Sequence, residues 1–201
     1  METVVSYMSI PRLPTLRGQA GIDRLRHMSR IALFDASTRI GAPDLQVEPT
    51  ALGAPRVEAG WHISKTHTEG FAAATISRSP IGIDAEWIYR PRLRAARESA
   101  GADELKLLGA GDTPDAETPV LLWTGKEAVL KQAGLGLTGI SRCQLIEVTG
   151  PNQFLFELDG EHYPVRSTLI GEYWLSVSTP NNLHIVKLDA KNANTRHEAI
   201  A

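Results

Sequence analysis

Two short stretches hold the residue types that chemistry needs. Ile81-Gly82-Ile83-Asp84-Ala85-Glu86-Trp87 sets two carboxylates two positions apart, and Trp123-Thr124-Gly125-Lys126-Glu127-Ala128-Val129-Leu130-Lys131 adds a third carboxylate and two lysines. The first reads as a strand, because isoleucines alternate with small residues, and a spacing of two then puts Asp84 and Glu86 on one face. The second reads as a helix, in which Glu127 and Lys131 project side by side. Three acids and two lysines delivered from one strand and one helix meet the needs of a magnesium-bound polyphosphate: hard oxygens for the metal, ammonium groups for the remaining charge. Each part also has an ordinary explanation. Asp-x-Glu after a short apolar run is often a solvated strand end, and an exposed Glu127–Lys131 pair contributes only about 0.3–0.5 kcal/mol. Lys126 weakens that reading, because it falls beside Leu122, Val129 and Leu130 on the flank of the apolar stripe. An amine there must snorkel or meet an anion.

The elements that must position these residues follow from periodicity. Val4 to Ile10 reads as a buried strand stopped by Pro11 and Pro14, and a helix runs from about Ile22 to Ile40 with Arg24, Arg26, Arg30 and Arg39 among its polar positions. Residues 41–60 read as a glycine- and proline-rich loop. A hairpin follows, Trp61 to Lys65 and Phe71 to Ile76 around Thr68-Glu69-Gly70, and Ser79-Pro80 breaks it before the Ile81 strand. Arg90, Arg92, Arg94 and Arg97 precede a helical segment through Leu105 and Leu108. The helix of the second stretch should begin with Thr118 as N-cap and Pro119 at its first position, and end at the glycines 134 and 136. Residues 143–148, 154–158, 162–165, 173–177 and 183–188 alternate like strands, with Asp159-Gly160 as a hairpin turn. Trp61-His62-Ile63-Ser64 and Tyr173-Trp174-Leu175-Ser176, each after a helix and before a returning strand, suggest a weak internal repeat and hence two similar lobes with a cleft between them. The expected fold class is α+β: two pseudo-symmetric lobes, each a helix on a small, mostly antiparallel sheet. The lobes would span residues 1–80 and 81–189, with a mobile tail at 190–201.

Composition narrows the function classes. A chain of 201 residues with 42% hydrophobic and 22% charged residues has enough material for a sizeable core. Its formal net charge of −2 argues against general nucleic-acid binding, which calls for a basic excess, but leaves small anionic ligands open. One cysteine, Cys143, cannot form an internal disulfide and reads as a small packed residue in a reducing compartment. The first ten residues lack the basic start and long apolar run of a signal peptide, and no segment is long enough to span a bilayer. A cytoplasmic protein is expected.

The two stretches together, 43 positions apart from Asp84 to Glu127 and followed by Gly134-Leu135-Gly136-Leu137, resemble the 4'-phosphopantetheinyl transferases. The closer likeness is to the larger, two-lobed surfactin-synthetase-activating type, with its G-I/V-D-x-E block, a gap of this length and a W-S/T-x-K-E-A/S-x-x-K block. The resemblance implies transfer of the phosphopantetheine arm of coenzyme A to a serine of an acyl or peptidyl carrier protein, with release of 3',5'-ADP. It implies that Asp84, Glu86 and Glu127 bind magnesium, and that Glu127 accepts the serine proton directly or through water. Lys131 would neutralise the leaving nucleotide and Lys126 would support the phosphates. A monomer is reasonable, because one duplicated chain supplies both lobes.

The first half departs from the family pattern. Ser64-Lys65 stands where serine-histidine is usual, and Gly53-Ala54-Pro55 where glycine-lysine-proline is common. Both places help hold the nucleotide end of coenzyme A. Lys65 can take a phosphate as a point charge, with Arg30 and Arg56 sharing the work, or His67 can replace the imidazole from two residues along. The Arg90–Arg97 cluster reads equally as a solvated helix or as a steering surface for an acidic carrier. Two other function classes remain beside the transferase: a degenerate relative that binds coenzyme A or a carrier without transferring, and a different magnesium-dependent phosphoryl-transfer enzyme.

Overall fold

The computed structural model of the chain describes residues 2–12, 18–42, 60–89, 93–110, 115 and 117–188. The chain divides into two units, Met1–Ser79 with Asn181–Ala201, and Pro80–Pro180. Both are α+β. No described helix is long and apolar enough to cross a membrane.

In the first unit, strand β1 (Glu2–Ser9) leads to helix α1 (Gly18–Arg39) and the hairpin β2 (His62–Thr68) and β3 (Phe71–Ser77). Gly70, with φ 87°, supplies the left-handed residue of the hairpin turn. The sheet order is β2-β3-β1-β9, where β9 (Asn182–Lys187) is the last strand of the chain. Helix α1 buries Ala32, Leu33 and Ala36 against Trp61, Ile63, Ala74 and Ile76, while Ile31 joins Met8, Ile10, Ala72 and Leu188. Alanines at 72 and 74 leave room for the helix to lie close. A polar lock crosses this apolar interface: buried Asp35 accepts hydrogen bonds from Ser6 Oγ and Arg39 Nε, both at 2.6 Å.

The second unit starts with β4 (Gly82–Trp87), continues through short helices α2 (Leu93–Ser99) and α3 (Ala102–Leu107), and reaches helix α4 (Glu117–Ala133). A 3-10 turn over Gly136–Gly139 leads into the meander β5 (Gln144–Gly150), β6 (Gln153–Leu158), β7 (Glu161–Ile170) and β8 (Tyr173–Ser178). The sheet order is β4-β8-β7-β6-β5. Asp159 and Gly160, at φ 54° and 84°, make the tight turn between β6 and β7 that the Asp-Gly pair promised. One sheet face carries Leu145, Phe154, Phe156, Leu158 and Val165, and it packs on Leu122, Val129 and Leu130 of α4.

Three expectations need correction. Residues 183–188 were placed with the second lobe, but β9 runs parallel to β1, with Thr3 opposite Leu183 and Val5 opposite Ile185. Alternation marks a strand and says nothing about which sheet edge it joins. The sequence echo is also out of step by one strand. In the first unit, the strand beside β1 is β3, the second of its hairpin; in the second unit, the strand beside β4 is β8, again the second of its hairpin. The counterpart of β2, which directly follows Trp61, is therefore β7 and not the Tyr173 strand. Helix α4 begins at Glu117, and Asp115, not Thr118, receives its leading donors: Oδ1 accepts the Glu117 and Thr118 amides at 3.0 and 2.8 Å. These bonds hold the Asp115 carboxyl below its usual range.

Candidate functional site

Helix α4 lies hard against β4 because a glycine faces it. A Cβ at position 82 would overlap the carbonyl oxygen of Ala128 and come within 2.6 Å of the Gln132 amide nitrogen. Gly125, on the helix, plays the same part toward β6, where a Cβ would meet the Phe156 ring at 2.6 Å. A chain of hydroxyls then crosses the interface, Thr124 to Ser176 and Ser176 to Ser167, each at 2.8 Å, and Ser178 donates to Gln132 Oε1 at 2.5 Å. Ser176 and Ser178 are the register partners of Asp84 and Gly82. Opposed residues of an antiparallel pair share a face, so Gly82, Asp84 and Glu86 all face α4.

Lys131 closes this arrangement. Its Nζ donates to Asp84 Oδ1 at 2.6 Å and to the Ile83 carbonyl at 3.0 Å, and stands 3.9 Å from Glu127 Oε2. Burial by itself would lower the Lys131 ammonium, but the charges of Asp84, Glu127 and Glu86 outweigh it and raise the group above the ordinary lysine value. The side chain is 32% exposed, so the pair is reached from solvent while its charged end is held by carboxylates. The structure thus brings Asp84, Glu86, Glu127 and Lys131 to one strand–helix seam.

Among the described residues no three acidic, histidine or cysteine side chains converge into a ready-made metal shell. The donor set nonetheless fits a hard divalent cation. Its carboxylates are hard oxygen donors, and their combined charge is enough to raise the Lys131 ammonium above its ordinary value against the effect of burial. Magnesium retains several waters and needs only one or two carboxylates directly.

Lys126 does not join this group, which corrects its expected role at the phosphates. Five residues from Lys131, it points about 140° away around the helix. Its Nζ is buried, donating to Glu104 Oε2 at 2.7 Å and to the Ser99 carbonyl at 2.8 Å. Glu104 completes the socket: Oε2 also accepts the Gly101 amide at 2.7 Å and Oε1 the Leu145 amide at 2.8 Å. The amine on the apolar flank does meet an anion, but that anion belongs to the protein. Glu104 was missed in the sequence. Its only signal is an acid three residues after Gly101 at the start of a short helix, a common capping pattern.

The expected residues of the first half are dispersed by their own strand. Lys65 lies on the α1 side of β2 with Ile63, opposite Ala74, whereas Ser64 is buried and faces the other side. Burial lowers the Lys65 ammonium and the nearby Arg30 charge lowers it further, so two cations neighbour each other. Neither has an ion-pair partner among the described residues. His67 shares that face and is exposed. Arg56 and Ala54 lie outside the described residues, as do Arg90 and Arg92. Cys143 is wholly buried beside Leu145 and Phe156, and desolvation pushes its thiol up to about 12, which suits a packed residue and not a nucleophile.

Residues 80–178 match the family model of the 4'-phosphopantetheinyl transferase superfamily. The match coincides with the second unit and contains the whole strand–helix seam. No curated protein matches the chain.

Proposed function

We propose that the protein transfers the 4'-phosphopantetheine group of coenzyme A to a serine of an acyl or peptidyl carrier protein, in a magnesium-dependent reaction that releases 3',5'-ADP. The observation that carries this reading is the Lys131 ammonium bonded to Asp84 within the field of Glu127 and Glu86, on a strand and helix that fall inside the family match. Asp84, Glu86 and Glu127 would hold the metal, which supplies charge stabilisation on the pyrophosphate when bound. Glu127 accepts the proton of the attacking serine hydroxyl. The serine oxygen forms a bond to the phosphorus that carries pantetheine, and the bond from that phosphorus to the bridging pyrophosphate oxygen breaks. Lys131, one turn beyond Glu127, neutralises the departing 3',5'-ADP.

The surfactin-synthetase-activating type is supported by the separate α+β unit that lies outside the matched residues. In it, Arg30 and Lys65 supply the adjacent positive charge that a nucleotide phosphate requires. Arg56 would add a further coenzyme A contact, whereas Ser64, buried on the opposite face of β2 from Lys65, does not join them. The working form is a cytoplasmic monomer.

Incubation with coenzyme A, magnesium and a set of apo carrier proteins, followed by intact-mass measurement, tests the reading. A carrier should gain the mass of phosphopantetheine, and Glu127→Gln should abolish that gain while leaving the melting temperature near wild type. Coenzyme A binding without any mass gain would establish the non-transferring alternative. Absence of coenzyme A binding, seen as no ligand-induced rise in melting temperature, would point to a different phosphoryl-transfer enzyme.

A further inference from the structure

The contacts of α4 around Glu127 admit one rotation of the helix. Gly125 abuts Phe156, Ala128 abuts Gly82, and Thr124 is bonded to Ser176. Lys126 enters a socket built from three separate pieces of chain: the Ser99 carbonyl at the end of α2, Glu104 of α3, and, through Glu104, the Leu145 amide at the start of β5. The first three contacts hold α4 from the sheet side. Lys126–Glu104 alone among these ties it to α2 and α3. Both side chains are nearly inaccessible, at 3% and 8% exposure, and Glu104 uses both carboxylate oxygens.

A socket of this kind does more than add stability. A buried ion pair is a weak source of net stabilisation, but its geometry is restrictive, because any displacement leaves a charge without a partner in a low-dielectric interior. Lys126 precedes Glu127 directly. A helix rotation of about 20° would carry a side-chain tip, roughly 6 Å from the axis, through about 2 Å. Displacements of about 1 Å at a reacting group cost on the order of 100-fold in rate.

We infer that Glu104 is a positioning residue for the reaction: through Lys126 it sets the rotation of α4 and thereby holds Glu127 and Lys131 in register with Asp84. This rests on the transferase reading above. Glu104 touches neither substrate nor metal in this role. A swapped pair does not replace it, because a lysine at 104 has no acceptor for the Gly101 and Leu145 amides.

The test uses the full chain and measures turnover per coenzyme-A-binding site, with the site count taken from calorimetric stoichiometry. Glu104→Ala should lower kcat about 10- to 100-fold and leave KM for coenzyme A within about twofold. Glu104→Gln retains one acceptor oxygen and should lie between wild type and alanine; it carries the test if the alanine variant fails to fold. A purely structural role would lower the melting temperature and the number of active sites but not turnover per site. Wild-type kcat per site in both variants, or a loss confined to KM, would overturn the inference. No transfer by the wild-type chain itself would instead remove the transferase reading, and this inference with it.

Discussion

Replacing Gly82 by alanine is the sharpest probe of how the seam is built. The added Cβ would overlap the Ala128 carbonyl oxygen and lie 2.6 Å from the Gln132 nitrogen, whereas ordinary contact begins at 3.4 Å. Both neighbours are helix backbone and cannot pivot away. The helix must therefore leave the strand by at least about 0.8 Å, the difference between those two distances. The same displacement would stretch the 2.6 Å bond from Lys131 to Asp84 to the outer limit of hydrogen bonding. Overpacking of a rigid interface costs about 3 kcal/mol at the upper end of its usual range. For a chain of this size that lowers the melting temperature by about 6–12 °C. Transfer to an apo carrier, followed by intact mass below the new transition, should fall by roughly 100-fold as Glu127 and Asp84 separate. Gly125→Ala is the control. It meets the buried Phe156 ring, a side chain and not helix backbone, so its cost should fall at the lower end of the overpacking range, about 1 kcal/mol. A Gly82→Ala protein that melts within about 2 °C of wild type and transfers at the wild-type rate would refute the close seating of α4 on β4.

Two further outcomes test the electrostatics and the core. Because Lys131 is raised above the ordinary value of 10.5, its contribution to stability is fully present below that pH and declines as pH rises through the folded-state value. The denaturant-midpoint difference between wild type and Lys131→Met should be flat through neutral pH and shrink in the alkaline range; a difference that persists there contradicts the raised ammonium. Cys143, buried and with its thiol pushed up to about 12, should react with a thiol reagent only on unfolding, and rapid modification of the native protein would show the core to be open there.

Much of the site was legible because its signals are local. Asp84 and Glu86 share a face by the two-residue period of a strand, and Glu127 and Lys131 by the turn of a helix. The C-terminus of α4 was legible for the same reason: Gly134 at φ 72° and the Leu135 amide bonded to the Leu130 carbonyl form the expected stop. The N-terminus was misplaced because Thr118 and Asp115 both suit a cap, and a carboxylate competes better for several amides than a hydroxyl does. In the first half, Ser64 and Lys65 were paired by adjacency, which in a strand guarantees opposite faces.

What the sequence alone determined was which chemistry-bearing residues share a face on each element, and the α+β class of the fold. Three acids, a lysine one turn from one of them, and the alternating strands around the long helix are properties of short windows, and short windows have fixed periods. Only the tertiary structure decided which lysine serves the seam. Lys126 and Lys131 are equal candidates by residue type; the helix period only points them apart, and packing decides which one meets the strand carboxylates, while Lys126 is taken by Glu104, 22 residues before it in the chain and 2.7 Å away in space. It likewise decided that β9 joins β1 and not the strands that precede it. Pairings of this kind depend on the distances between surfaces after folding, and no period along the chain encodes them.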